Sequence, residues 1–94
     1  MKNKSLELFK ALADATRQEI LGLLGEEERS VNEICASFER ITQPTVSHHL
    51  QILKRCEIVD THRKGKRVFY SVNKKVLRNG FEEFIEKFKI QVLE

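Results

Sequence analysis

The sequence predicts a mainly α domain with one β-hairpin, and three observations carry that expectation. Apolar residues recur at helical spacing through five segments, three of them opened by a serine, threonine or aspartate suited to cap a helix. The stretch 58–72 is instead rich in β-branched and aromatic residues around a central glycine. A chain of 94 residues has room for a single core, so residues 1–94 are expected to form one domain.

Leu6, Phe9, Leu12 and Ala13 place one apolar stripe on a first helix over 5–13. Asp14 interrupts it and caps a second helix, whose buried face is Ile20, Leu23 and Leu24 and which ends near Gly25. Three acids follow in a loop. Ser30-Val31-Asn32-Glu33 has the spacing of a capping box, so a third helix of about two turns starts there, with Val31, Ile34, Cys35 and Phe38 inward. Thr42 caps a fourth helix that runs to about Cys56; Pro44 is tolerated because it falls in the first turn. Val46, Leu50 and Leu53 form its narrow core stripe. Two short helices joined by a turn, the second apolar on one side, make a helix-turn-helix. Residues 58–63 and 67–72, joined by Lys64-Gly65-Lys66, then form a hairpin with a basic tip. A last helix begins at Asn73, and Gly80 is expected to kink or interrupt it.

The net charge of +3 conceals an asymmetry. Residues 54–79 hold nine lysines and arginines against two acids, a net of +7, whereas the segments on either side are each net −2. Clustered cations next to a helix-turn-helix outweigh the alternative of a merely solvated charge run and point to a polyanionic partner, double-stranded DNA. No run of apolar residues approaches the roughly 18 needed to span a membrane, and no secretory hydrophobic block follows the charged start, so the expected location is cytoplasmic. Catalysis would need an activated nucleophile, a metal cluster or a phosphate-cradling glycine loop; the sequence offers none, and no cofactor is expected.

A helix that enters the major groove must bury one side and offer short polar groups on the other. On the fourth helix, Gln43, Thr45, Ser47, His48 and Gln51 meet that requirement. Gln43 and His48 suit base edges; Thr45 and Ser47 suit bases or phosphates alike. Lys54 completes the DNA-binding set on this helix, although it and Arg55 lie too far along it for base readout. Arg63, Lys64, Lys66 and Arg67 surround Gly65, so the hairpin tip can follow the phosphate backbone or enter a minor groove. Apolar residues left over from so small a core, Leu6, Phe9, Phe81, Phe84, Ile85 and Phe88, are expected to pair two copies of the chain.

Residues 12–17 (Leu-Ala-Asp-Ala-Thr-Arg), 44–54 (Pro-Thr-Val-Ser-His-His-Leu-Gln-Ile-Leu-Lys), 62–66 (His-Arg-Lys-Gly-Lys) and 69–72 (Phe-Tyr-Ser-Val) resemble the ArsR/SmtB repressors over nearly the whole chain. The resemblance implies a winged helix-turn-helix homodimer, built through its first and last helices, that represses a promoter by binding an inverted repeat. It also implies that Gln43, Thr45, Ser47 and His48 face the DNA. Metal-sensing members carry a two-cysteine box on the third helix, but here Cys35 stands two residues before Ser37, where the second thiol would be. They otherwise carry histidines on the last helix, and residues 73–94 contain none. The sequence therefore resembles members that lack a metal site, and no metal ligand is assigned. Ala15 and Glu57 also depart from the family's usual proline and glycine.

Two alternatives remain beside this reading. One is a thiol-redox or metal-responsive repressor that uses Cys35 and Cys56; the simpler expectation for Cys35 is a small buried hydrophobe. The other is a winged helix that contacts protein rather than DNA, against which the +7 segment argues. His48, His49 and His62 are scattered over a helix and a strand, so surface or DNA-facing roles are expected for them rather than a shared metal.

Overall fold

Each helix described in the structure begins where a side-chain oxygen takes up an otherwise unsatisfied backbone donor. The computed structural model describes residues 3–89. In chain order the elements are α1 (Lys4–Leu12), α2 (Ala15–Glu26), β1 (Arg29–Ser30), α3 (Val31–Ala36), α4 (Gln43–Arg55), β2 (Val59–Lys64), β3 (Arg67–Val72) and α5 (Lys74–Lys87). Asn3, Asp14, Ser30, Thr42 and Asn73 supply the caps. At Ser30 the capping box is complete, because Glu33 Oε1 accepts from the Ser30 backbone N–H at 2.9 Å. Helix α5 ends at Lys87, with Phe88 as its C-cap, and residues 90–94 lie outside the described residues.

The helices pack around Leu8, Ala11, Ile20, Leu24, Ile34, Val46, Leu50, Leu53, Ile58 and Val59, all buried. Ile58 joins the two halves of the molecule: its N–H donates to the Leu53 carbonyl at 2.9 Å, and its carbonyl accepts from Asn73 N–H at 2.8 Å. The bond to Leu53 takes the Ile58 N–H away from the hairpin, and β2 starts one residue later than its apolar run.

The hairpin forms as expected, with Val59 opposite Val72 and Lys64 opposite Arg67. Gly65 has φ of 62°, which suits the first central position of a two-residue hairpin turn. A third strand, β1, was not expected. It pairs antiparallel with β3, Arg29 opposite Tyr70, and gives the sheet order β1-β3-β2. Two residues cannot show an alternating pattern, so this strand exists only because α2 and α3 deliver it to the edge of β3.

Gly80 corrects a second expectation. It lies within an unbroken α5 and is buried. A Cβ placed there would come to 3.0 Å from Leu8 Cδ1, so the glycine makes room for Leu8 of α1 against α5, and it does not interrupt the helix.

Candidate nucleic-acid interface

The orientation of α4 follows from its inner side. Val46, Leu50 and Leu53 are fully buried, which turns Gln43, Thr45, His48, Gln51 and Lys54 to solvent; Ser47 is half-buried. Thr42 Oγ1 accepts from Thr45 N–H and lies 3.0 Å from the Thr45 hydroxyl, so Thr45 is engaged in the cap as well as exposed. The first turn thus presents backbone donors and short polar groups in a fixed arrangement.

His49 departs from the surface role expected of it. Its side chain is only 13% exposed, and Arg17 Nη1 lies 3.2 Å from His49 Nδ1. A guanidinium only donates, so Nδ1 accepts and the ring proton sits on Nε2. Arg17 also donates through Nε to the Ala11 carbonyl at 2.6 Å, at the end of α1. One arginine therefore links α1, α2 and α4 behind the outward face of α4. Asp14 completes the group. Its carboxyl sits below the usual carboxylate range, chiefly because Arg17 N–H donates to it at 2.9 Å; burial opposes this, and the Arg17 charge adds to the lowering. The sequence held a signal for this group: Asp14, Arg17 and His49 all lie in the strings that carry the family resemblance, but their meeting across α2 and α4 does not show in helical periodicity.

On the wing, Arg63, Lys64, Lys66 and Arg67 are all exposed. They are not equivalent. Lys64 Nζ donates to Glu28 Oε1, while among the described residues Arg63 and Lys66 have no ion-pair partner. His62 also reaches Glu28, with Nε2 2.7 Å from Oε2, and stacks on Phe69. Glu28 was missed by sequence reasoning, because it lies 36 residues from Lys64 and reads there as one of three loop acids.

The residues expected to pair two copies come together on α1 and α5. Leu6, Phe81, Phe84 and Phe88 are exposed, and Phe9 and Ile85 are half-buried. Phe9 meets Phe81 and Phe84 edge-on, with centroids 5.5 and 5.0 Å apart. The thiols lie elsewhere: Cys35 packs half-buried against the core on α3, and Cys56 Sγ at the end of α4 donates to the Glu7 carbonyl at 3.7 Å. Cys56 lines a cavity of about 410 Å³ between α1, α4 and α5. Among the described residues, no three of histidine, cysteine, aspartate and glutamate come together as a metal site, and no helix is long and apolar enough to cross a membrane.

Comparisons with known proteins agree with this geometry. Residues 14–61, from the α2 cap to the middle of β2, match the family described as bacterial regulatory protein, arsR family. The transcriptional repressor SdpR of Bacillus subtilis (strain 168) is 41% identical over 83 residues, which cover 85% of this chain and 91% of that protein. An ArsR-like transcriptional regulator from Rhodococcus sp. RHA1 superposes with a TM-score of 0.81 at 26% identity, covering 92% of this chain and 79% of the other. The winged helix-turn-helix DNA-binding domain Mb0332 from Mycobacterium bovis, described as homodimeric, superposes with a TM-score of 0.73 at 29% identity, covering 95% and 82%. With a helix-turn-helix that buries one side of α4, a basic wing and these matches, the chain belongs to the ArsR family and is a DNA-binding transcriptional regulator rather than an enzyme.

Proposed function

We propose that the chain is a cytoplasmic repressor that binds an inverted-repeat operator as a homodimer. The observation that carries this reading is the two-sided α4: Val46, Leu50 and Leu53 are sealed in the core, while Gln43, His48 and Gln51 face outward beside the wing. Gln43 and His48 read base edges in the major groove; Thr45, Ser47 and Lys54 support them, and Arg63, Lys64, Lys66 and Arg67 hold phosphates. Two copies meet through Leu6, Phe9, Phe81, Phe84, Ile85 and Phe88; that the chain pairs at all is supported by the Mycobacterium bovis domain described as homodimeric. Twofold symmetry then sets the recognition helices about 34 Å apart, in successive major grooves.

The mutational test separates two kinds of contact. Gln43→Ala or His48→Ala costs about 1–3 kcal/mol on the operator and little on random DNA. Lys66→Ala weakens binding to both and makes the salt dependence shallower by about one unit per lost phosphate contact. Titrations by fluorescence anisotropy on both duplexes distinguish them, and equal losses on operator and random DNA for every variant would refute the assignment. Release from DNA does not pass through the family's metal positions, since Ser37 stands where the second thiol would be. Zinc added to the complex therefore leaves it intact; stoichiometric release that Cys35→Ser abolishes would overturn that part.

A further inference from the structure

The sheet register brings one acid onto the basic wing. Ser30 lies opposite Phe69, and Phe69 lies opposite His62. Side chains alternate along strands, so Glu28, Phe69, His62 and Lys64 fall on one face. From just before β1, the Glu28 side chain reaches across β3 to two residues of β2. One carboxylate oxygen lies 2.7 Å from His62 Nε2, and the other accepts from Lys64 Nζ. Beneath them the Phe69 ring lies 25° from the His62 plane and 5.2 Å from Lys64 Nζ. Glu28 is 29% exposed and Lys64 60%, so the lysine can leave while the carboxylate stays.

We propose that Glu28 is a competitor built into the wing: in the free protein its carboxylate holds the position on Lys64 that a DNA phosphate takes in the complex. The proposal rests on the reading of the wing as a DNA-contacting surface. Carboxylate and phosphate are both anionic oxygen acceptors, and a lysine neutralised by one attracts the other weakly. Two anions on one ammonium repel each other, so an arriving phosphate draws Lys64 away from Glu28. His62 remains on the other carboxylate oxygen, which keeps the acid from being left bare. Phosphates are the same in every sequence, so Glu28 sets overall affinity and leaves the preference among sequences unchanged.

The test uses the full chain and a random-sequence duplex of about 30 base pairs, titrated over a range of salt. Glu28→Gln tightens binding between about 2- and 25-fold at 0.15 M salt, roughly the span of one exposed ion pair on each of two wings. It also steepens the salt dependence by about 0.9 for each wing. Glu28→Ala, which removes the stem as well, gives the same change, and thermal melts confirm that both variants fold. In a Lys64→Ala background the gain disappears, because the competitor has nothing left to compete for. Glu27→Gln removes an equal charge one residue away and leaves the salt dependence unchanged. A gain that persists without Lys64, or unchanged or weaker binding by both Glu28 variants, overturns the proposal. Failure of the underlying reading looks different: Lys66→Ala, which touches no part of the Glu28 group, then has no effect on affinity or salt dependence.

Discussion

Asp14 shows what a single residue does at both ends of the physical argument. It caps α2, and its carboxyl is held below the usual range chiefly by the Arg17 N–H, against burial and with help from the Arg17 charge. A lowered folded-state value means that the ionised form is preferred in the fold. Its contribution is fully present above the unfolded value of about 3.9 and is lost as pH falls through the lower, folded value. Asp14→Asn retains the capping oxygen and removes the charge. Urea melts are expected to show wild type more stable than this variant at pH 6, with the difference shrinking below about pH 4; a difference that stays constant down to pH 3 would count against the assignment. The caps at Asp14, Ser30 and Thr42 were legible because each acts within three residues of itself. The Arg17 contact with His49 spans 32 residues, and no local pattern announces a contact set by the crossing of two helices.

At the scale of elements, two glycines in helices read alike in the sequence and differ in the structure. Gly22 in α2 is exposed, with no atom within 4 Å of where a Cβ would stand. Gly22→Ala is therefore expected to stabilise the protein by about 0.5–1 kcal/mol, from reduced freedom of the unfolded chain and better helix propensity. Gly80 faces Leu8 at 3.0 Å, so Gly80→Val is expected to cost about 1–3 kcal/mol by overpacking the contact of α1 with α5. Paired thermal melts check both signs at once. Helices α1 to α5 and the hairpin were legible because apolar period, caps and a turn glycine agree with one another. The sequence could not show that α5 continues through Gly80, since a glycine that permits close packing and one that interrupts a helix are the same letter.

For the whole molecule, the charge asymmetry and the apolar surplus were both legible. The wing carries Arg63, Lys64, Lys66 and Arg67, all exposed, and a second surface, on α1 and α5, carries the exposed Leu6, Phe81, Phe84 and Phe88. A change on the second surface should therefore leave the fold intact while dividing the dimer. Phe84 is 40% exposed in the single chain, so Phe84→Glu is expected to keep its helical circular dichroism and to sediment as a monomer. The same variant loses most of its affinity for an operator with two half-sites, because the two recognition helices no longer arrive together. Wild type that sediments only as a monomer at micromolar concentration, in buffer that supports DNA binding, would rule out the pairing. What the sequence could not supply at this scale was the position of Glu28, because β1 is too short to carry a pattern of its own.

The strand that follows this acid also has a temporal consequence. Joining β2 to β3 closes a turn of two residues, whereas joining β1 to β3 brings Arg29 to Tyr70 across the intervening helix-turn-helix. Closure entropy grows with the length of chain enclosed, and an edge pairing of two residues offers little in return. The β1 edge is therefore expected to open on its own, ahead of global unfolding, while the hairpin stays paired. Native-state hydrogen exchange reads this directly: backbone amides bonded across β1 and β3 should exchange through a lower-energy opening than those bonded across β2 and β3. Equal protection of the two ladders would mean that the edge is locked to the core. If the edge does open first, the brace that Glu28 places on Lys64 is released in the same event, and the grip of the wing fluctuates on the timescale of that local opening.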